Sequence, residues 1–339
     1  MGVGKSFGSD NHSGVHPEVW AALAAADVGH APAYGADSQT ERALAALKNT
    51  FGSDLDAFFV FTGTAANTLS IQASCQSYEA VLASEVAHLE EDECGAPEAI
   101  AGVKIMTTAH HQGKIRLESL QALASYTLAP HRVKPRLLSL TQATELGTVY
   151  TIDEIKGITA WAHQQGLIVH MDGARLANAA VHLNCELADI TVRAGIDILS
   201  FGGTKNGLLC GEAIVVFRRE LSASLPFYRK QGMQLASKMR YLACQFLPYL
   251  EDELWRRNAR RANARALYLR EQLVALGAEV PYPTDANEVF AILPPAQRQL
   301  AQEWGKAALW DAESGLLRFV ASFDTEEEDI DILIDRLRS

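Results

Sequence analysis

The sequence predicts an α/β protein with a large domain built on a mostly parallel sheet and a smaller α+β domain at the C-terminus. Three observations predict this fold class. Short apolar runs alternate with stretches whose apolar residues recur at helical spacing, as in crossover connections between parallel strands. The chain has 339 residues, which is enough for more than one core. From about residue 248 a long arginine-rich helical pattern replaces the alternation.

The strands of the large domain are predicted where the short apolar runs occur. These runs cover residues 58–61, 80–83, 136–140, 167–171 and 196–201, and an amphipathic helix is predicted over residues 152–165. A further apolar run, residues 212–217, follows the strand ending at Phe201 after only about ten residues. Because that gap is too short for a helical crossover, the last two strands are predicted to be antiparallel neighbours.

The smaller domain is predicted over residues 248–339, after an N-terminal arm (residues 1–20) and the large domain (residues 21–247). Its elements are a helix over residues 251–276, strands over 288–293 and 316–322, and a closing helix over 325–337. The arginines of the long helix are interpreted as a solvated face rather than a nucleic-acid surface, because the chain as a whole is acidic.

Composition and charge exclude several classes of partner. The net charge of −11 argues against nucleic acid or an anionic membrane as the main partner. No apolar run approaches the roughly 20 residues of a membrane helix, and the segment MGVGKSFGSDNHSG lacks the apolar core of a signal peptide. We therefore expect a cytoplasmic protein.

Two residues with catalytic chemistry follow predicted strands. Lys205 lies in SFGGTKNG, after the strand at residues 196–201, and Asp172 lies in HMDGARLAN, after the strand at residues 167–171. In open α/β sheets the carboxyl ends of the strands bind ligands. A lysine can form a Schiff base with the aldehyde of pyridoxal phosphate (PLP), and a carboxylate can keep the pyridine nitrogen protonated. The alternative is a surface lysine and a helix-capping aspartate.

Two further segments supply candidates for the phosphate and the ring of such a cofactor. In FTGTAANTLS, Gly63 and Thr64 open a helix whose free amides would bind phosphate, and Thr204 offers a further hydroxyl. In SEVAHLEEDECGAPE, His88 follows a strand and could stack on a pyridine ring and exchange protons near neutral pH. An ordinary capped turn and a structural histidine are the alternatives.

The acidic run at residues 90–93 is interpreted as a solvated helix start rather than a metal site. No histidine stands at ligand spacing within it, and acidic residues favour the first turn of a helix. No metal is therefore expected.

Together these segments resemble the PLP-dependent L-threonine aldolases of the β-eliminating lyase superfamily. The resemblance extends nearly end to end, from GSDNHSG through AYGADSQT, GTAANTLS, HMDGARLAN and GGTKNG to RFVASFDT, and is greatest for the bacterial low-specificity and phenylserine aldolase branch. HMDGAR followed by the lysine loop is the specific part of the match. The resemblance implies PLP fold type I, the fold of aspartate aminotransferase.

The resemblance also implies roles for individual residues. It assigns PLP attachment to Lys205, pairing with the pyridinium nitrogen to Asp172 and stacking on the ring to His88. The phosphate would be held by Gly63, Thr64 and Thr204. The substrate carboxylate would be bound by Ser9, Arg175 and Arg318, with Arg175 also near the ring oxygen of the cofactor.

Family members are dimers or tetramers with shared active sites, which implies that two segments approach the cofactor of a neighbouring subunit. One contains Tyr34, in AYG, and the other contains Lys238 and Arg240. A homo-oligomer, with homotetramer as one form, is the expected assembly.

The segment TQATELG departs from the family pattern. Many relatives carry a histidine there that contacts the β-hydroxyl of the substrate, and Glu145 stands near that position in this chain. The usual serine-aspartate-threonine opening is also changed, to Ser9-Asp10-Asn11. The first departure leaves open which residue accepts the hydroxyl proton.

The expected reaction is cleavage of L-3-hydroxy-α-amino acids, such as L-threonine, L-allo-threonine or phenylserine, into glycine and an aldehyde. His88 is the first candidate for the base that removes the β-hydroxyl proton, and Glu145 is the second. Two alternatives remain: a PLP-dependent β-elimination that yields a keto acid and ammonia, and a non-catalytic PLP-binding oligomer.

Overall fold

The computed structural model describes residues 5–52, 54–124 and 130–338, and its main features are a large sheet, a small sheet and a short hairpin. Within the described ranges the strands are β1 (Asp56–Val60), β2 (Glu79–Ser84), β3 (Lys104–Thr108), β4 (His110–His111), β5 (Lys114–Ile115), β6 (Lys134–Thr141), β7 (Ile168–Gly173), β8 (Ile198–Gly202), β9 (Glu212–Val216), β10 (Glu288–Ile292), β11 (Ala308–Asp311) and β12 (Leu316–Val320).

The helices surround these sheets and connect their strands. They are α1 (Pro17–Ala26), α2 (Ser38–Phe51), α3 (Gly63–Ser74), α4 (His88–Glu91), α5 (Leu117–Ala124), α6 (Ile152–Gln164), α7 (Leu176–His182), α8 (Leu225–Gln231), α9 (Met239–Ala243), α10 (Phe246–Glu251), α11 (Leu254–Ala275), α12 (Pro295–Glu303) and α13 (Glu327–Arg338). The helix predicted over residues 152–165 is α6. It begins with a capping box, in which Thr151 and Glu154 satisfy each other's backbone amides.

The large sheet has the strand order β1-β9-β8-β7-β6-β2-β3. Strands β3, β2, β6, β7 and β8 run parallel, whereas β9 is antiparallel to both β8 and β1. The pairing of Ile198 with Val216 and of Gly202 with Glu212 confirms the antiparallel neighbours that were predicted from the short connection. The loop between these two strands, residues 203–211, carries Lys205.

The small sheet joins β10, β12 and β11 in antiparallel order, and two of its three strands were predicted. The sequence prediction missed β11 and α12. It also predicted one helix over residues 251–276, which is wrong at its start. The chain ends α10 at Glu251 and begins α11 at Leu254, because Glu253 adopts a left-handed conformation with φ of 52° between them.

Two main clusters of buried residues form the core, and α11 contributes to both. Trp255 and Ala259, near its start, pack into the cluster around the large sheet, whereas Leu269 and Leu273, near its end, pack with the small sheet. Phe7, in the N-terminal arm, also packs with the small sheet. The division at residues 21 and 248 stays a prediction, and residue 248 lies inside α10.

Over residues 5–52, 54–124 and 130–338, the chain forms no helix that is both long and apolar enough to cross a bilayer.

Candidate active site

A cavity of about 410 Å³ opens beside the carboxyl ends of β7 and β8. Eight of the residues proposed from the sequence line it: Gly63, Thr64, His88, Glu145, Asp172, Arg175, Thr204 and Lys205. The wall also includes Asn67, Glu93 and Glu212, to which the sequence assigned no role in the cavity. The fold therefore brings to one place groups that are far apart in the chain.

The lysine loop is fixed by hydrogen bonds from α10 and α11. The side-chain nitrogen Nδ2 of Asn206 donates to the Tyr249 hydroxyl at 3.0 Å and to the Trp255 carbonyl at 2.9 Å. Asn258 donates to the Asn206 carbonyl at 2.9 Å. Asn206 is therefore held by buried partners, and on the other side of Lys205 the Thr204 hydroxyl accepts the Gly211 amide at 3.0 Å. The half-buried Lys205 lies between these two fixed neighbours.

Gly202 brings the end of β8 unusually close to the segment after β7. A Cβ atom on Gly202 would lie 2.4 Å from the carbonyl oxygen of Ala174 and 2.7 Å from its Cα. Both atoms belong to the backbone, so neither can move aside as a side chain would. This close approach sets the spacing between the aspartate and lysine segments.

We expect Gly202→Ala to destabilise the protein by about 1–3 kcal/mol, the usual cost of overpacking a core. Gly157→Ala is the matched control, because Gly157 lies on the exposed side of α6 with open space around it. Glycine in a helix interior costs stability, so this control should gain about 0.5–1 kcal/mol. Urea unfolding followed by tryptophan fluorescence measures both. An unchanged free energy of unfolding for Gly202→Ala would contradict the close approach.

The Asp172 carboxylate is held by two donors. Its Oδ1 accepts the Ala174 amide at 3.0 Å, and its Oδ2 accepts the side-chain amide of Asn67 at 2.8 Å. The residue is 5% exposed, and its position in β7 is opposite Ser200 of β8. The carboxylate is therefore fixed in orientation at the sheet edge where it was predicted.

The start of α3 offers amides to an anion. Thr62 caps the helix, because its hydroxyl accepts the Ala65 amide at 3.2 Å and its carbonyl accepts the Ala66 amide at 3.1 Å. The amides of Gly63 and Thr64 precede these capped ones at the positive end of a 12-residue helix. The segment FTGTAANTLS thus opens a helix at Gly63, as predicted, and the start of this helix lies in the cavity wall.

His88 begins α4 and faces the cavity with part of its ring. Its Nδ1 lies 3.0 Å from Oε1 of Glu93, whose side chain is fully buried. The pKa of His88 is raised above its usual value, mainly by this hydrogen bond and further by the charge of Asp172, although burial and Lys205 act in the opposite direction. The interpretation of residues 90–93 as a solvated helix start is therefore wrong for Glu93, which packs inward against the histidine.

Glu145 lies deep in the cavity wall. Its Oε1 accepts the Thr141 hydroxyl at 2.7 Å and the backbone amide of His88 at 2.9 Å, while its buried Oε2 has no hydrogen-bond partner in the structure. Burial raises the pKa of Glu145 to about 7, against the effect of these donors. The side chain thus joins the His88 segment to the loop after β6 and keeps one oxygen unused.

Arg175 binds two acidic side chains. Its Nε and Nη2 donate to the Asp10 carboxylate at 2.8 and 3.1 Å, and its Nη1 lies 3.3 Å from Oε1 of Glu288. Burial raises the pKa of Asp10, but the charges of Arg175 and Lys205 outweigh it, so the net shift is downward. The opening segment of the chain is thereby tied to the large domain at the cavity.

The other two proposed carboxylate ligands lie outside the cavity wall. The Ser9 hydroxyl caps a short helical turn by accepting the Asn11 amide at 3.1 Å. The Nη1 of Arg318 lies 3.7 Å from Oε1 of Glu288, and its guanidinium stacks over Trp310 at 5.1 Å. Arg318 is therefore linked to Arg175 through the shared Glu288, and its Nη2 also donates to the Gly8 carbonyl at 3.5 Å.

Tyr34 and Lys238 also lie away from the cavity wall of their own chain. The Tyr34 amide donates to the Ser237 carbonyl at 2.9 Å. The residue is 53% exposed, and the amine of Lys230 lies 5.1 Å from the centre of its ring. Lys238 lines a second cavity that shares Phe61 with the first.

Glu212 is a buried acid that the sequence reasoning missed. Its carboxylate accepts the Gly203 amide at 2.9 Å at the start of the lysine loop, and burial raises its pKa to about 7. The sequence did contain a signal, because Glu212 is a charged residue at the start of the apolar run EAIVV.

Across the described part of the chain, no group of three or more His, Cys, Asp or Glu side chains is arranged to hold a metal ion.

The sequence is similar to a known family and to named enzymes. A family model described as "Beta-eliminating lyase" matches residues 6–294. A low specificity L-threonine aldolase from Pseudomonas sp. (strain NCIMB 10558) is 44% identical over 325 residues, which cover 95% of this chain and 94% of the relative. An enzyme of the same name from Pseudomonas aeruginosa is 45% identical over 327 residues, covering 96% and 94%.

The fold is also that of a solved threonine aldolase from Leishmania major. The TM-score is 0.93 at 28% sequence identity, and the superposition covers 98% of each chain.

Proposed function

The chain belongs to the β-eliminating lyase family, and we propose that it cleaves L-3-hydroxy-α-amino acids to glycine and an aldehyde as a PLP-dependent L-threonine aldolase. Its fold is PLP fold type I. The observation that carries the proposal is the convergence of Lys205, Asp172 and His88 on one cavity of about 410 Å³.

The donor set of the cavity suits PLP. The free amides of Gly63 and Thr64 suit a phosphate, with the Thr204 hydroxyl as a further ligand, and the fixed carboxylate of Asp172 suits a protonated ring nitrogen. Lys205 supplies the amine that an aldehyde requires. When bound, PLP supplies this aldehyde and a ring that accepts the electron pair of the broken Cα–Cβ bond.

In this proposal the protein's own groups orient the substrate and move its protons. Arg175 binds the substrate carboxylate, which must share the guanidinium with Asp10 and Glu288. Ser9 and Arg318 would bind the same carboxylate, and both lie next to residues already linked to Arg175, since Ser9 precedes Asp10 and Arg318 shares Glu288. Holding the carboxylate would fix the orientation of the bonds at the substrate Cα in the cavity, and hence which bond breaks.

The base that accepts the β-hydroxyl proton has two candidates in the cavity wall. His88 is the first, because its ring is partly exposed to the cavity and its Nδ1 is already used by Glu93. Glu145 is the second, because its Oε2 is unused and its pKa of about 7 gives it a basic form near neutral pH. As the proton leaves the hydroxyl, the Cα–Cβ bond breaks, the aldehyde departs, and a proton returned to Cα completes glycine.

Product identity tests the proposal against β-elimination. We expect glycine and the matching aldehyde from L-threonine, L-allo-threonine and phenylserine, measured by chromatography after one incubation with the PLP-loaded protein. A keto acid and ammonia would identify the eliminating reaction instead. The absence of any turnover would favour a non-catalytic PLP-binding protein.

Glu145→Gln should change mainly the ratio of rates between these three substrates. The substitution removes the titrating acid but nearly keeps its shape, so the pocket at the β-carbon changes while His88 is retained. The specificity constants of all three substrates measure the effect. An equally strong loss on all three would make Glu145 the base. Three unchanged constants would place Glu145 outside the substrate pocket.

A homo-oligomer with shared active sites is part of the proposal. It is supported by the exposed apolar surface beside the second cavity, where Met233 is 84% exposed, Tyr34 53% and Phe61 39%. Tyr34 and Lys238 would then complete the site of a neighbouring subunit. Analytical ultracentrifugation distinguishes a dimer from a tetramer.

A cytoplasmic location is also proposed, from the sequence alone, and cell fractionation tests it.

A further inference from the structure

One chain of hydrogen bonds joins His88, the first candidate for the base, to Asp172, the proposed partner of the ring nitrogen. Its links run from His88 Nδ1 to Glu93 Oε1 at 3.0 Å, and from the Asn67 side-chain nitrogen to Glu93 Oε1 and Asp172 Oδ2, both at 2.8 Å. Asn67 is 1% exposed and Glu93 is 4% exposed. The connection comes from α3, the segment after α4, and β7, so the tertiary fold assembles it.

The chemistry of Glu93 determines the state of His88. An ionised carboxylate only accepts hydrogen bonds, so the His88 Nδ1 facing it must carry the proton. The neutral imidazole then has its lone pair on Nε2, the nitrogen that Glu93 does not hold. A carboxylate that orients a histidine in this way also stabilises the imidazolium that forms when Nε2 takes a proton.

Asn67 is suited to the position between the two carboxylates. Its amide nitrogen has two hydrogens, and it donates one to Glu93 and the other to Asp172. A charged donor there would neutralise the carboxylates, whereas a neutral amide orients them and leaves both charges in place. Glu93 Oε2 and Asn67 Oδ1 are buried without hydrogen-bond partners. Burying such unpaired polar atoms costs folding free energy, so this arrangement of side chains is not the one that stability alone would favour.

We propose that Glu93 and Asn67 are positioning residues for the reaction, Glu93 by fixing the tautomer and basicity of His88 and Asn67 by fixing both carboxylates. The proposal rests on the proposed aldolase function for its catalytic meaning, but its physical content is a property of the protein alone. The upward shift of the His88 pKa, for which the Glu93 hydrogen bond is the largest cause, agrees with it.

Other charged groups also face His88 and must be separated from the effect of Glu93. Glu145 accepts the His88 backbone amide from the loop after β6, Asp172 acts from β7, and Lys205 acts from the lysine loop. Asp92, Arg175 and Glu212 line the same cavity. A test must therefore change Glu93 alone and compare it with the loss of an equal charge elsewhere on the same segment.

Glu93→Gln is the test variant and Glu91→Gln is the matched control. Both remove one charge at nearly constant shape, and Glu91 is an exposed residue of α4. Exchange of the His88 C2 hydrogen for deuterium, followed by mass spectrometry of the PLP-loaded protein across pH, reports the pKa of this one ring. We expect Glu93→Gln to lower the midpoint by about 1 pH unit. We expect the control to lower it by less than about 0.3, as for a screened surface charge.

Activity gives an independent readout. The acidic limb of the kcat/KM profile should move to lower pH in Glu93→Gln by the same amount as the exchange midpoint, and Glu93→Asp should move part of the way back. A purely structural Glu93 would lower stability or cofactor affinity without moving either midpoint, and that result would overturn the proposal. A protein without aldolase activity but with the shifted exchange midpoint would instead refute the proposed function and leave the His88–Glu93 pairing intact.

Asn67→Leu tests the other half, since leucine nearly keeps the volume and removes both donors. We expect the PLP dissociation constant, measured by equilibrium dialysis, to rise on the order of tenfold, the scale of one buried hydrogen bond. Unchanged PLP affinity together with an unchanged His88 midpoint in this variant would remove Asn67 from the proposal.

Discussion

Lys205→Ala should abolish turnover and the covalent attachment of PLP. Removing a covalent catalytic group costs on the order of a thousandfold or more in rate. Borohydride reduction of the PLP-loaded wild-type protein should fix the cofactor to the peptide containing Lys205, and the variant should yield no such adduct. The cavity offers the same phosphate ligands in both proteins, so the variant should still bind PLP reversibly.

Lys205→Arg separates covalent chemistry from charge. The positive charge of Lys205 acts on Asp10, His88 and Glu212, and an arginine keeps that charge while it cannot replace the primary amine. We expect the arginine variant to be as inactive as Lys205→Ala but closer to the wild type in thermal stability. An adduct that maps to any other lysine would show that the lysine loop does not hold the cofactor.

The parts of this site that could be predicted from the sequence depend on local rules. Asp172 and Lys205 were found because each follows an apolar run, and strand ends meet at one edge of a sheet. The antiparallel pairing of β8 and β9 followed from the length of one loop. Each of these inferences uses residues that are close in sequence, which is the range over which sequence patterns constrain structure.

The parts that could not be predicted are contacts between distant segments. Glu93 lies in an acidic run for which solvation is the default, and its buried carboxylate is paired with Asn67 of α3, 26 positions earlier in the chain. Arg175 pairs with Asp10 across 165 positions, so the sequence suggested a free ligand for a substrate carboxylate where the fold has built an ion pair. The break between α10 and α11 also lacks a signal, since no glycine or proline marks Glu253.

Asp172→Asn should leave PLP bound but lower the rate by tenfold or more. An amide carries no negative charge, so it no longer favours a protonated ring nitrogen, and a loss of one pK unit of such stabilisation is about 1.4 kcal/mol. The structure adds a second cost. Asp172 accepts from both Ala174 and Asn67, whereas an asparagine has only one acceptor oxygen and must leave one of these donors unpaired.

Asp92→Asn is the comparison that isolates the position of the charge. Asp92 is exposed and lines the same cavity, so the two variants lose the same charge from one wall. The visible absorption and circular dichroism of bound PLP should change in Asp172→Asn and stay close to wild type in Asp92→Asn, in parallel with the rates. Because a general field effect would act on both variants alike, equal losses would show that the cavity needs negative charge but not a carboxylate at the ring. Wild-type turnover and spectrum in Asp172→Asn would remove Asp172 from its role, and with it the reason why β7 carries an aspartate at its carboxyl end, beside the lysine loop.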